Sequence, residues 1–141
     1  MLYIANITSN DKILVTLPIY HGNGHFFGIG SAIITGATII LRKKFSASNF
    51  FKEAIDAEAT AFIYIGEICR FLINQPPSTL DRKHKLRASV GNGMRRDVAE
   101  VFKKRFGITT TEFYGASEGN CNLGKLFLVF CYRKKHFCKP S

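Results

Sequence analysis

Short apolar stretches and longer amphipathic ones take turns along most of this chain, and that alternation constrains the fold more than any composition. Residues 12–17, 37–41, 60–64, 86–90 and 108–113 are five or six residues long and rich in β-branched and aromatic side chains. They read as buried strands, bounded by Pro18, Gly36, Gly91 and Gly107. Between them lie helical patterns. Residues 22–34 carry Phe26, Phe27, Ile29, Ile33 and Ile34 and predict a buried helix, with Gly36 at its end. Ser46 or Ser48 is expected to cap the next helix, running to about Glu58. Residues 65–73 form a third, stopped by Pro76 and Pro77. Residues 96–106 form a fourth, with Val98, Val101, Phe102 and Phe106 on its apolar side and Glu100 paired to Lys104. Such alternation predicts an α/β layered domain, mostly a parallel sheet with flanking helices. Residues 121–141 break the pattern, with no finished helix or strand expected.

In open α/β sheets, ligands gather beyond the carboxyl ends of the strands. Three turns fall there. After the first strand, His21 follows Pro18, where an imidazole can be aimed into a cleft and meet a carboxylate. After the fourth, Gly91-Asn92-Gly93 allows a flat ring or an acyl group to approach the backbone; it serves equally as a plain tight turn. After the fifth come Tyr114, Gly115, Ser117 and Glu118. Tyr114 can cover a base, Gly115 leaves room beside it, and Ser117 can donate to a phosphate oxygen. Glu118 supplies the hard oxygen that Mg²⁺ prefers. The serine is read as a phosphate ligand rather than a hydrolytic nucleophile. No segment completes the P-loop Gly-x4-Gly-Lys-Ser/Thr pattern or the Rossmann Gly-x-Gly-x-x-Gly pattern. The base and metal side of a nucleotide site is therefore expected here, without a triphosphate clamp.

The formal net charge of +10 invites a nucleic-acid reading, but its distribution argues against one. Residues 121–141 hold five Lys and Arg and no acid, while the clusters at 42–44, 82–83, 95–96 and 103–105 fall at element ends or on a helix. Solvated surface is the expectation, and no nucleic-acid partner is expected, since no recognised motif accompanies the charge. Cys69, Cys121, Cys131 and Cys138 have spacings that fit neither a zinc ribbon nor a redox CxxC, so free thiols are expected. No run approaches the roughly 20 apolar residues that span a bilayer.

Separated blocks now make a resemblance specific. They are residues 12–21, ending in Pro18-Ile19-Tyr20-His21; residues 36–48; residues 64–76, opening on Tyr64-Ile65-Gly66-Glu67; Gly91-Asn92-Gly93-Met94; and residues 113–124, with Tyr114-Gly115-Ala116-Ser117-Glu118-Gly119. In this order they resemble the fatty acid transport protein branch of the very long-chain acyl-CoA synthetases, which are adenylate-forming enzymes. The resemblance covers about residues 8–124 and implies a partial AMP-binding (adenylation) domain over residues 1–124, followed by a divergent hydrophobic-basic tail over 125–141. It implies ATP and Mg²⁺ as cofactors of the parent, coenzyme A as co-substrate, and a long-chain or very long-chain fatty acid as substrate, activated through an acyl-adenylate. Tyr114 would stack on adenine, Gly91, Asn92 and Gly93 would line its pocket, Ser117 would meet phosphate, and Glu118 would hold Mg²⁺. His21 would sit beside the acyl carboxylate, and Tyr64, Ile65 and Gly66 would border the acyl channel. The parent is expected at the membrane of the endoplasmic reticulum or the plasma membrane, with homo-oligomerisation left open. The family's phosphate loop would lie upstream of Lys12, and its ribose-binding aspartate and catalytic lysine downstream of Gly124. The 141 residues are thus expected to be part of a larger ligase and inactive alone. The alternative is a non-catalytic truncated product that binds a membrane or a partner.

Overall fold

A computed structural model describes residues 5–116 and 121–124. Six strands form one sheet in the order β2-β1-β3-β4-β5-β6: β1 Lys12–Val15, β2 Thr38–Leu41, β3 Ala61–Ile65, β4 Ala88–Asn92, β5 Thr109–Ala116 and β6 Cys121–Gly124. Strands β1 to β5 pair in parallel, and β6 runs antiparallel to β5 with Tyr114 opposite Leu123. The predicted α/β class and mostly parallel sheet are therefore what the chain forms. The sequence pattern missed β6, because four residues between turn-like stretches carry too little periodicity to show.

The connection from β1 to β2 runs one way across the sheet, and those from β2 through β5 run the other. With right-handed crossovers throughout, the two sets of helices must lie on opposite faces. One face carries a π-helix, Asn23–Gly30, continued directly by α1, Ser31–Thr35, and packed on β1, β3 and β4. The other carries α2 Phe50–Asp56, α3 Gly66–Ile73 and α4 Arg96–Phe106. There Phe62 of β3 meets Phe50 and Phe102 with ring centroids 5.1 and 6.3 Å away. Phe50, Phe62, Phe102 and Phe106 are fully buried, which is where much of the chain's phenylalanine goes.

The expectation that Phe26, Ile33 and Ile34 are buried is overturned: they are 69%, 73% and 76% exposed. The π-helix packs through its small side instead. A Cβ on Gly28 would lie 2.9 Å from Val15 Cγ2, and one on Gly24 only 2.4 Å from the Pro18 carbonyl oxygen. Backbone-to-sheet approach this close puts Asn23, Gly24, Gly28, Ser31 and Ala32 inward and turns the large side chains out. Only Phe27 reaches back, its ring 4.0 Å from that of Phe113 on β5.

Smaller expectations also shift. The cap of α2 is Asn49 and makes no side-chain bond; the Ser46 and Ser48 hydroxyls hydrogen-bond each other instead, at 3.3 Å. Glu100 pairs with Arg96 rather than Lys104, and Val101 is half exposed. Gly36 and Gly107 end their helices at φ +74° and +75°, as their positions predict. In the basic run 103–105, Arg105 is not a solvated charge. It donates to the carbonyls of Ile73, Gln75 and Pro76 at 2.8–2.9 Å and to Asp81 at 2.8 Å, stapling the end of α3 and its following turn to α4.

Candidate functional site

The strand order reverses between β1 and β3, so their carboxyl ends part and leave a crevice, the usual place for a ligand in such sheets. An open groove of about 870 Å³ lies there, among the ends of β1, β2 and β3. Its walls include Leu17, Ile19, Phe45, Ile65, Ile68 and Phe71, and Arg42, Lys43 and Lys44 stand along its edge. The size falls in the roughly 300–1,000 Å³ range of small-molecule sites. Thr16 also lines it, and its hydroxyl is buried with no hydrogen-bond partner. Arg42 is held by Glu53 at 3.1 Å.

Of the three residues expected beside an acyl channel, only Ile65 faces this groove. Tyr64 is fully buried and points to the centre of the sheet, where its hydroxyl donates to Glu112 Oε1 at 2.5 Å. Gly66 opens α3 against the next loop; a Cβ there would lie 1.9 Å from the Gly93 carbonyl oxygen. Burial, and then the bond to Glu112, push the Tyr64 hydroxyl far above its ordinary pKa, so it stays a neutral donor. Burial likewise raises the Cys69 thiol, with the Glu112 charge adding to it, which leaves Cys69 an inert core group.

Glu112 was not singled out by sequence, yet it ties this end of the sheet together. Its Oε1 accepts the Tyr64 hydroxyl from β3 and the Met94 backbone N–H, 3.1 Å away, from the loop after β4. It lies opposite Gly91 in the β4–β5 register. A Cβ at Gly91 would meet the Tyr64 carbonyl oxygen at 2.2 Å and its Cγ at 2.6 Å, so only glycine fits between these strands. Gly93 completes the turn at φ +75°, a left-handed conformation that side chains resist. A strand acid two positions before an exposed aromatic was the available signal.

Because Phe113 turns toward the π-helix, Glu112 and Tyr114 turn to the opposite face of β5. Tyr114 is 67% exposed and lies two residues past the last β4–β5 pair, so its ring stands free beyond the Gly91–Gly93 turn. Gly115 follows it, paired with Asn122 of β6. The sequence-predicted Gly91, Asn92, Gly93, Tyr114 and Gly115 are thus brought to one end of two adjacent strands. Ser117 and Glu118 lie outside the described residues. Gly115 to Gly119 also match the Gly-x-Ser-x-Gly spacing of a hydrolase nucleophile elbow. That elbow needs a strand-to-helix turn, whereas this segment joins the antiparallel strands β5 and β6.

His21 is exposed, in a turn where its N–H donates to the Pro18 carbonyl at 3.1 Å. Its Nδ1 accepts the Asn23 N–H at 3.5 Å. The Asn23 side chain donates in turn to Asn92 Oδ1 at 2.7 Å and to the Tyr64 carbonyl at 3.3 Å. The histidine turn and the Gly91–Gly93 turn are therefore connected. Among the described residues, no group of three His, Cys, Asp or Glu side chains comes together as a metal site, and no helix is long and apolar enough to cross a membrane.

This sheet, with these turns at its carboxyl ends, is part of an adenylate-forming enzyme fold. ATP-bound MatB from Rhodopseudomonas palustris has it, at a TM-score of 0.72 over 84% of this chain and 24% of that one, with 20% identity. The chain belongs to the AMP-binding enzyme family, whose profile matches residues 2–135. Within it the chain is close to the fatty acid transport proteins and fatty-acid–CoA ligases. It is 43% identical over 122 residues to long-chain fatty acid transport protein 1 of Rattus norvegicus, covering 86% of this chain and 19% of the relative. It is 46% identical over 124 residues to a medium/long-chain-fatty-acid–CoA ligase of Mycobacterium tuberculosis, covering 87% and 21%. The chain thus spans about a fifth of the length of these relatives.

Proposed function

We propose that this chain is the part of an ATP-dependent long-chain fatty acid–CoA ligase that holds adenine and the acyl end of the substrate. The observation that carries this reading is the assembly of Gly91, Glu112 and Tyr114 at the ends of β4 and β5. Gly91, the Glu112 carboxylate and the exposed Tyr114 ring lie together at the ends of two adjacent strands, and this reading takes them as the recognition face for a flat base with an amino group. In this reading Tyr114 stacks on adenine, Gly91 to Gly93 give it a flat wall, and Glu112 accepts from the exocyclic amine. Gly115 keeps the ribose side clear. Ser117 meets phosphate, and Glu118 supplies an oxygen to Mg²⁺, which neutralises phosphate charge when bound. His21, with Nδ1 accepting from Asn23, presents Nε2–H to the acyl carboxylate. The groove bordered by Ile65, with the unpartnered Thr16 hydroxyl in its wall, takes the apolar part of the acid.

The parent reaction joins a fatty acid to AMP with release of pyrophosphate, then passes the acyl group to the thiol of coenzyme A. Such a parent works on a membrane-soluble substrate, and in this reading it acts at the endoplasmic reticulum or plasma membrane. These 141 residues alone bind without turnover, because the cationic clamp for the departing pyrophosphate is not among their motifs. The test is calorimetric titration of the chain with 5′-AMP. Saturable one-to-one binding, at least tenfold weaker in Tyr114→Ala, is expected. Equal affinity of wild type and Tyr114→Ala, or no saturation at millimolar AMP, overturns the reading.

A further inference from the structure

We propose that Asn23 is a positioning residue that couples the nucleotide-side turn to the acyl-side histidine. Its two ends do different things. The side-chain amide, in a residue only 6% exposed, donates to Asn92 Oδ1 at 2.7 Å and to the Tyr64 carbonyl at 3.3 Å. The backbone N–H donates to His21 Nδ1 at 3.5 Å. One residue thus bonds the middle of the Gly91–Gly93 turn, the end of β3 and the imidazole ring.

Its freedom to adapt is small. It opens the π-helix, whose next residue, Gly24, is pressed so tightly on the Pro18 carbonyl that no Cβ fits, and Gly28 is pressed on Val15 in the same way. Asn92 cannot move without dragging Gly91 and Gly93, themselves wedged against Tyr64 and Gly66. A displacement on either side is therefore passed on rather than absorbed. Accepting at Nδ1 also selects the imidazole tautomer protonated at Nε2, the form that donates outward to a carboxylate oxygen. A ligand that orders the Asn92 turn should accordingly order the His21 ring. Binding of the nucleotide would prepare the acyl side. The proposal rests on the nucleotide reading above only for the identity of that ligand.

The test uses the intact chain with labelled histidine, reading the imidazole tautomer by long-range ¹H–¹⁵N NMR and amide exchange at residues 21–25. In wild type His21 is expected as the Nε2–H tautomer. Asn23→Ala and Asn92→Ala should each mix the tautomers and speed exchange at 21–25 at least tenfold, with Phe102 and Phe106 unaffected as a check on folding. Asn92→Asp keeps the acceptor oxygen and should retain the wild-type spectrum. The double variant Asn23→Ala/Asn92→Ala should be no worse than either single one. Independent, additive effects overturn the proposal, as does an unchanged tautomer in Asn92→Ala. Adding 5′-AMP should slow exchange at 21–25 in wild type. If AMP binds without touching those amides, the coupling is refuted. If AMP does not bind but Asn92→Ala still disturbs His21, the coupling stands and the nucleotide reading fails.

Discussion

Replacing Tyr64 with phenylalanine removes a single buried hydroxyl, whose short bond is to Glu112 and whose second, longer contact is the Thr111 carbonyl at 3.4 Å. The ring stays: it is fully buried and lies 6.1 Å from Phe62, so packing and apolar area barely change. What goes is the hydroxyl that donates to Glu112 Oε1 at 2.5 Å. A hydrogen bond to a charged group contributes about 1.5–3 kcal/mol, and among the described residues Glu112 would keep the Met94 N–H alone as partner. With a urea slope of about 2 kcal/mol per molar, the unfolding midpoint should fall by about 1 M at unchanged slope. Circular dichroism during urea titration measures it. Combining Tyr64→Phe with Glu112→Ala should cost clearly less than the sum of the two, since both remove the same contact. Loss of less than about 0.5 kcal/mol in Tyr64→Phe, below the weakest ordinary hydrogen bond, would refute the claim that this pair braces the Gly91–Met94 turn.

Gly66→Ala pits propensity against sterics: alanine favours the helix by about 1 kcal/mol, but its Cβ would sit 1.9 Å from a backbone oxygen. The clash should win, with a net loss of about 1–3 kcal/mol and weakened AMP binding, read by thermal unfolding and calorimetry. Asp11 accepts from the Thr60 hydroxyl at 2.6 Å, the Thr8 N–H at 2.9 Å and Arg87 at 2.6 Å. Burial pushes its carboxyl up, but these partners together hold it below the ordinary 3.8. Its stabilisation is therefore complete above that value and lost as pH falls through the lower folded pKa. Asp11→Asn should cost about 2 kcal/mol at pH 7 and flatten the acid limb of a stability profile. His84 stacks on Phe51 at 5.1 Å, and both ring nitrogens are buried without partners at normal geometry. Burial holds its pKa below 6.5, so the unfolded chain takes the proton first and stability should decline as pH drops through 6.5. His84→Phe should remove that decline, measured by urea midpoints between pH 5 and 7.5.

Much of the sheet was legible because strand and helix periods differ so clearly in this chain. Residues 96–106 fall on α4 as predicted, and the five parallel strands sit within a few residues of their apolar runs. Geometry that depends on contact was not legible. Periodicity treats Phe26, Ile33 and Ile34 as inward because they are large, whereas two glycines decide which side can approach β1. Likewise Gly91, Asn92, Gly93 and Tyr114 stood out as turn chemistry at strand ends, and the fold does bring them together. Glu112 and Asn23 did not stand out, since a single acid in a strand and an asparagine among glycines are ordinary until their partners at 2.5 and 2.7 Å are known.

The interior place of β1, between two strands that follow it in the chain, carries a cost in time. Ile13 has Ile39 on one side and Ala61 on the other, and both follow it in the chain, so the ladder of β1 closes only after those later segments are made. Distant pairings of this kind are slow to form. During synthesis β1 is thus open along both sides rather than one, and a chaperone shielding Ile13, Leu14 and Val15 would act before the Gly91–Gly93 and Tyr114 turns exist.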